Sequence, residues 1–290
     1  MRAALGLLSC ERCTLTMPGR LFVVATPIGN LNDLSPRAIE TLRSVAVIAC
    51  EDTRHTRILL EKFGIGTPTT SLPAFAEGQR AGAILDRLVG GADVALVTDA
   101  GTPAISDPGE KLVVEAVAAG VTVIPIPGPA AFVAALSAGG LPTGRFHFLG
   151  FLPRQVSEAK SMVDEVSQLS ATLVLYESPR RLVETLRVLS EWLGPRRAVV
   201  ARELTKLHEE LARGTLTELA ERYSAGEVLG EVVLLIEGRT GDARWSEDEV
   251  KRALASGLAS GERLKSLSTD VARRSGWSAQ ELYKIGLGLK

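Results

Sequence analysis

Cysteine, histidine, aromatic residues and net charge are all scarce in this 290-residue chain, and each shortage closes off a class of function. Cys10, Cys13 and Cys50 are too few and too odd in number for a disulfide framework, so a reducing, cytoplasmic setting is expected. The first two have C-x-x-C spacing, yet no second pair follows and no strand and helix frame them, so they read as tail sequence. His55, His147 and His208 lie far apart, without the spacing of a compact metal site, and no metal is expected. A formal net charge of −1 gives no bulk attraction to nucleic acid or to an acidic membrane, so any such contact must come from local basic patches. No G-x-G-x-x-G follows the first strand, which removes a dinucleotide-binding fold.

Long apolar runs are missing as well. Ala116 to Gly144 carries no charge, but Pro125, Pro127, Gly128, Pro129, Gly139 and Gly140 cut it into a strand, a turn and a short helix. It reads as buried core, and no membrane association is expected. The apolar stretch Ala3 to Leu8 is shorter than a signal-peptide core, so residues 1–19 are expected to be an unstructured extension, with Met17 just ahead of the first strand as an alternative start.

What is present is a packed α/β pattern. Apolar residues at 46% and charged residues at 23% support a core, and the length fits about two domains. Apolar runs of strand length at Leu21 to Ala25, Val45 to Cys50, Val94 to Thr98 and Val121 to Ile126 alternate with helical patterns near 36–44, 53–63, 78–89 and 109–119. That alternation predicts a mostly parallel sheet covered by helices, with ligands at the carboxyl ends of the strands. The pattern resumes at Phe146 to Gly150, Thr172 to Tyr176, Ala198 to Arg202 and Val232 to Glu237, with helices near 156–168, 179–191 and 215–224. The expected organisation is an α/β domain over 20–135, a second over 136–240 and a small, mildly basic helical extension over 241–290. Ser246 followed by Glu249 has the spacing of a capping box at the start of the first of three short helices.

The strand ends of the first half carry unusual loops of small residues. Val24 to Asn30 holds a Pro-x-Gly turn with Pro27 and Gly29. Ala49 to Thr56 places Glu51, Asp52 and Arg54 beyond a buried strand; capping of the next helix accounts for Asp52 or Thr53 but not for Glu51 and Arg54 together. Val97 to Gly109 is long and rich in Gly and Pro, so its backbone can approach a small polar ligand closely. Pro125 to Ala131 is a fourth turn of small residues, and four such loops on one sheet edge suggest one site.

Taken in order, VATPIGNLNDLSPRA, EDTRHT, VTDAGTPAISDPG, PGPAA, FLGFLPR, YESPRRL, RELTKLHEE and GEVVLLIEG resemble the tetrapyrrole-methylase superfamily, in particular its branch that modifies small-subunit ribosomal RNA. The resemblance covers residues 20 to 240 and implies two α/β domains, S-adenosylmethionine in the cleft between them, and a homodimer. It implies that Asp99, Ala100, Gly101 and Ser106, with Pro127, Gly128, Ala130 and Ala131, line the cofactor. Phe151, Gly230 and Glu231 would join them; Pro27 and Gly29, also counted among the cofactor residues, would face the substrate side of the cleft with Glu51 to Arg54. The implied substrate is 16S ribosomal RNA within the small subunit, methylated on the ribose 2′-hydroxyl of a decoding-centre cytidine. One departure stands out: Ser71 to Glu77 lacks the His and Asn of the RNA-modifying branch and keeps only the Glu.

A ribose hydroxyl is a weak nucleophile, so a base or an oriented hydrogen bond is useful. The catalytic candidates are Glu51, Asp52, Arg54 and Lys206, with Glu209 as a further base and Glu51 preferred for its strand-end position. Arg54, Arg57, Arg180, Arg181, Arg202 and Lys206, together with the basic tail, are the expected RNA contacts, although Arg180 and Arg181 fit a plain surface role at a helix start equally well. Two alternatives stay open: a methylase of tetrapyrrole macrocycles, and a ribosome-assembly factor without catalysis.

Overall fold

The computed structural model describes residues 17–73, 77–239 and 245–289. The Cys10 and Cys13 pair, the first 16 residues and positions 74–76 of the atypical Ser71 to Glu77 segment lie outside them. The chain forms two compact units, one running to Pro27 and taking in Leu31–Gly128, the other made of Ile28–Asn30 and Pro129 onward.

The first unit is built on β1 (Arg20–Val24), β2 (Val47–Cys50), β3 (Thr69–Ser71), β4 (Val94–Leu96) and β5 (Thr122–Ile126). These form one parallel sheet in the order β3-β2-β4-β1-β5. Side chains alternate between faces along each strand. Phe22, Val24, Ile48, Cys50, Ala95 and Val97 therefore meet α1 (Pro36–Ser44) and α2 (Thr53–Lys62). Leu21, Val47, Ala49, Val94 and Leu96 meet α3 (Glu77–Val89) and α4 (Glu110–Ala118). Burial on both faces is why β1, β2 and β4 read as apolar runs. Each wholly buried Leu or Ile contributes about 1.5–3 kcal/mol. Helix starts follow local chemistry: Ser35 Oγ accepts the Ala38 amide at 3.1 Å with Pro36 at the first helical position, and Asp52 Oδ1 accepts the Arg54 amide at 2.8 Å.

The helices after β1 and β2 cover one face, whereas α4, after β4, covers the other. Since β4 lies between β2 and β1, the chain leaves in opposite directions on both sides of its carboxyl end. Such a reversal opens a crevice where parallel sheets take ligands.

The second unit differs in kind. Its sheet, β6-β7-β10-β8-β9, comprises Phe146–Phe151, Thr172–Glu177, Val232–Ile236, Arg197–Arg202 and Glu210–Thr215 in that order. Only β6 and β7 run parallel; the other three pairings are antiparallel. One face packs on α6 (Val156–Val166), α7 (Leu182–Leu193) and α8 (Leu216–Ser224), the other on α5 (Ala131–Gly139) and Ile28. α7 begins three residues later than the sequence pattern predicted, because Pro179 to Arg181 form a turn.

Three helices close the chain, α9 (Glu247–Ala259), α10 (Leu264–Ser275) and α11 (Ala279–Leu287), around Val250, Leu254, Leu267, Val271 and Leu282. The expected capping box is there, with Ser246 and Glu249 bonding reciprocally. Trp245 packs so closely on Gly194 that a Cβ there would come within 2.7 Å of the ring, and Arg274 Nη1 donates to the carbonyls of Glu191 and Trp192 at 3.0 and 3.1 Å. Among the described residues no helix is long and apolar enough to cross a membrane.

Candidate functional site

In the first unit the carboxyl ends of β2, β4, β1 and β5 lie side by side, and hydrogen bonds stitch the loops that leave them. Thr26 and Gly101 exchange backbone hydrogen bonds at 2.8 and 3.1 Å, and the buried Thr26 hydroxyl donates to the Thr98 carbonyl at 3.0 Å. The Thr98 hydroxyl in turn donates to Glu51 Oε2 at 3.4 Å, and the Asp52 amide donates to Asp99 Oδ1 at 3.3 Å. Gly128 closes the row; a Cβ there would stand 3.0 Å from the Ala25 Cβ and 3.3 Å from its carbonyl oxygen. The loop from Val97 to Gly109 keeps its shape with positive φ at Gly101 (87°), Ala104 (67°), Ser106 (64°) and Gly109 (126°). For Ala and Ser that is a strained backbone, and such strain clusters at ligand clamps.

Electrostatics separates the proposed bases. Burial pushes the Glu51 carboxyl up, and the neighbouring Asp99 charge adds to this; the Thr98 hydrogen bond opposes it. Asp52 goes the other way, to about 2, because its side chain is hydrogen-bonded by the Arg54 guanidinium at 2.7 Å and by the Arg54 amide. Lys206 feels burial pulling its ammonium down, but Glu203 and Glu231 outweigh it and the net shift is upward. The Lys206 ammonium is thus held in its charged form by two carboxylates, and of the two adjacent acids only Glu51 is shifted toward taking up a proton.

The second unit gathers its own set at one edge of its sheet. Register places Val232 opposite both Glu177 and Arg202, Phe151 opposite Tyr176, and Arg202 opposite Glu210. Gly230, Glu231, Phe151, Arg180, Arg181, Arg202 and Lys206 therefore share that edge, distant though they are in sequence. Phe151 is half exposed and packs against Tyr176, with ring centroids 5.5 Å apart. Ala130 and Ala131 begin α5, and Gly29 lies beneath the Lys206 side chain.

The expected RNA contacts divide. Arg57 and Arg180 are exposed. Arg181 is turned inward: its Nη atoms donate to the carbonyls of Leu152 and Pro153 at 3.2 and 3.3 Å, and its Nε lies 3.7 Å from buried Glu177. Arg202 is spent on Glu210 at 3.0 Å and on the Leu229 carbonyl. Thr26, Thr98 and Glu203 were not singled out from sequence. The two threonines each follow a buried strand, a position where a hydroxyl must find a partner, and that was the available signal.

Residues 20–220 match the family model described as tetrapyrrole (corrin/porphyrin) methylases. The chain belongs to this family. Among its relatives, "Ribosomal RNA small subunit methyltransferase I" of Mesorhizobium japonicum is 44% identical over 93% of this chain and 92% of the relative. The protein of the same name from Synechocystis sp. is 43% identical over 94% of this chain and 99% of the relative. Solved structures share the methylase fold at low identity. Diphthine synthase aligns with a TM-score of 0.62 at 17% identity, over 77% of this chain and 91% of that one. A Thermus thermophilus uroporphyrin-III C-methyltransferase in complex with S-adenosyl homocysteine aligns with a TM-score of 0.55 at 19% identity, over 76% and 97%. The family match ends ahead of β10 and the three closing helices.

Proposed function

We propose that this methylase transfers a methyl group from S-adenosylmethionine to 16S ribosomal RNA of the small subunit, on the ribose 2′-hydroxyl of a decoding-centre cytidine. The observation that carries the reading is near-full-length identity above 40% to relatives named for small-subunit ribosomal RNA. The same reading makes it a cytoplasmic homodimer.

The residues of the first unit fit the cofactor. S-adenosylmethionine is small and polar, with hydroxyl and amino donors that need acceptors and close backbone. The stitched loops offer the Asp99 carboxylate and the peptide groups of Ala100 and Ser106, on a tightly curled backbone that the Thr26–Gly101 bridge holds in place, with Pro127 and Gly128 beside them, the glycine close against Ala25. When bound, the cofactor supplies a methyl group activated by its sulfonium.

What falls to the chain is to align the hydroxyl, exclude water and take up a proton. Glu51 takes that proton at its carboxylate. The Thr98 hydroxyl orients the carboxyl group, and partial burial makes it a stronger base than an exposed one. Asp52 caps α2 and holds Arg54, whose exposed guanidinium is placed for RNA phosphate.

The test offers purified protein labelled S-adenosylmethionine and small subunits lacking the decoding-centre ribose methyl group, followed by nucleoside analysis. Label in 2′-O-methylcytidine is the expected result. Label on no RNA, with cofactor binding intact, would turn the assignment toward a tetrapyrrole macrocycle.

A further inference from the structure

The connection between β8 and β9, residues 203–209, is shaped around a single ammonium group. It holds two non-glycine residues with positive φ, Glu203 (51°) and Thr205 (68°). Such conformations persist only where the surroundings over-determine them. Here the Glu203 amide donates to the Glu231 carbonyl at 3.1 Å, and Glu203 Oε1 accepts both Lys206 Nζ at 2.9 Å and the Glu231 amide at 3.2 Å. Position 230 is glycine with φ +89°, and any Cβ there would collide with the Glu203 carboxylate.

Lys206 lies along a second glycine. A Cβ at Gly29 would come within 2.6 Å of its Cγ and 2.9 Å of its Cε. The ammonium ends between Glu203 and Glu231, the latter at 3.5 Å, and the next residue, Leu207, is 92% exposed, so the loop projects into solvent. An ordinary surface ion pair is worth little and needs no strained backbone and no tailored glycines. Of the three N–H donors of an ammonium, two are engaged by carboxylates.

Resting on the RNA-methylation reading, we propose that Glu203 is a positioning residue that fixes the Lys206 ammonium above Gly29, where its remaining donor engages a phosphate of the RNA substrate. Glu203 itself touches no substrate. It acts by denying Lys206 other rotamers, so that the entropy of ordering this long side chain is met before RNA arrives.

The sign of one measurement separates this from simple electrostatics. Removing a carboxylate beside a polyanion strengthens binding by charge alone, whereas loss of positioning weakens it. Glu203→Gln, Lys206→Met and the double variant are compared in methyl transfer to small ribosomal subunits. KM for subunits rises about tenfold in each single variant, and the double variant is no worse than Lys206→Met. Affinity for S-adenosylmethionine and Tm stay at wild-type values in Glu203→Gln. Gly29→Ala displaces the lysine stem without altering any charge and reproduces the rise in KM. An unchanged or lowered KM in Glu203→Gln, or additive losses in the double variant, overturns the positioning role alone. Wild-type protein that labels no small-subunit RNA overturns the underlying reading with it.

Discussion

The Thr98 hydroxyl donates to the Glu51 carboxylate at 3.4 Å, which ties the end of β4 to the loop after β2 through a carboxyl group that burial has pushed up. The bond favours the ionised form, yet burial and Asp99 outweigh it. The result is a carboxylate held in one orientation and more basic than an exposed one.

Glu51→Gln keeps the shape and removes the base. A fall in kcat of about 10²-fold to 10⁴-fold is expected, with KM for RNA little changed. The pH profile gives a second readout. Because the working form is ionised, wild-type kcat falls as pH drops through the raised Glu51 pKa, and that limb disappears in the variant. Stability runs oppositely at the two adjacent acids. Ionising Glu51 costs stability as pH rises from its unfolded pKa through its raised folded one. Asp52 contributes above its unfolded pKa, and that contribution is lost as pH falls towards about 2.

Gly101 combines positive φ with a two-way backbone bridge to Thr26. A β-branched side chain at φ +87° is strained, and Gly101→Val is expected to cost about 1–3 kcal/mol in denaturant unfolding. The same change should abolish S-adenosylmethionine binding in a calorimetric titration. Wild-type affinity would remove the loop after β4 from the cofactor site.

Much of this was legible in the sequence for a physical reason. β1, β2 and β4 are buried on both faces along most of their length, so they stand out as apolar runs, and their loops stand out against them. Two strands left no such trace. β3 is three residues, Thr69–Ser71, none of them buried, and in β9 only Ala212 is buried, so neither shows a pattern. The antiparallel course of β8, β9 and β10 was equally hidden, since spacing along a chain carries no direction. Glu203 escaped notice because its part depends on its own backbone angle and on a register that brings residue 231 beside it.

Arg180 and Arg181 are neighbours that sequence treats alike and structure does not. Arg181→Ala strands the Leu152 and Pro153 carbonyls and leaves buried Glu177 without its cation, so a loss of about 1–3 kcal/mol is expected in urea. Arg180→Ala should leave stability within about 0.5 kcal/mol of wild type and reduce the salt dependence of RNA binding by about one ion. Equal stability of the two variants would contradict the inward role of Arg181.

Among the described residues the non-glycine positions with positive φ are Ala104, Ser106, Glu203 and Thr205, and all four fall in the two loops proposed to hold the cofactor and to position Lys206. Selection for heat resistance would meet an obstacle at these sites. Replacement by asparagine or glycine eases the backbone, and such changes are among the readiest routes to a sturdier protein. Glycine would also widen the range of shapes open to each loop, and either residue at position 203 would remove the carboxylate that holds Lys206. Thermal hardening of this methylase must therefore be sought in its helices and sheets, because the four peptide units that invite it are the ones it must leave alone.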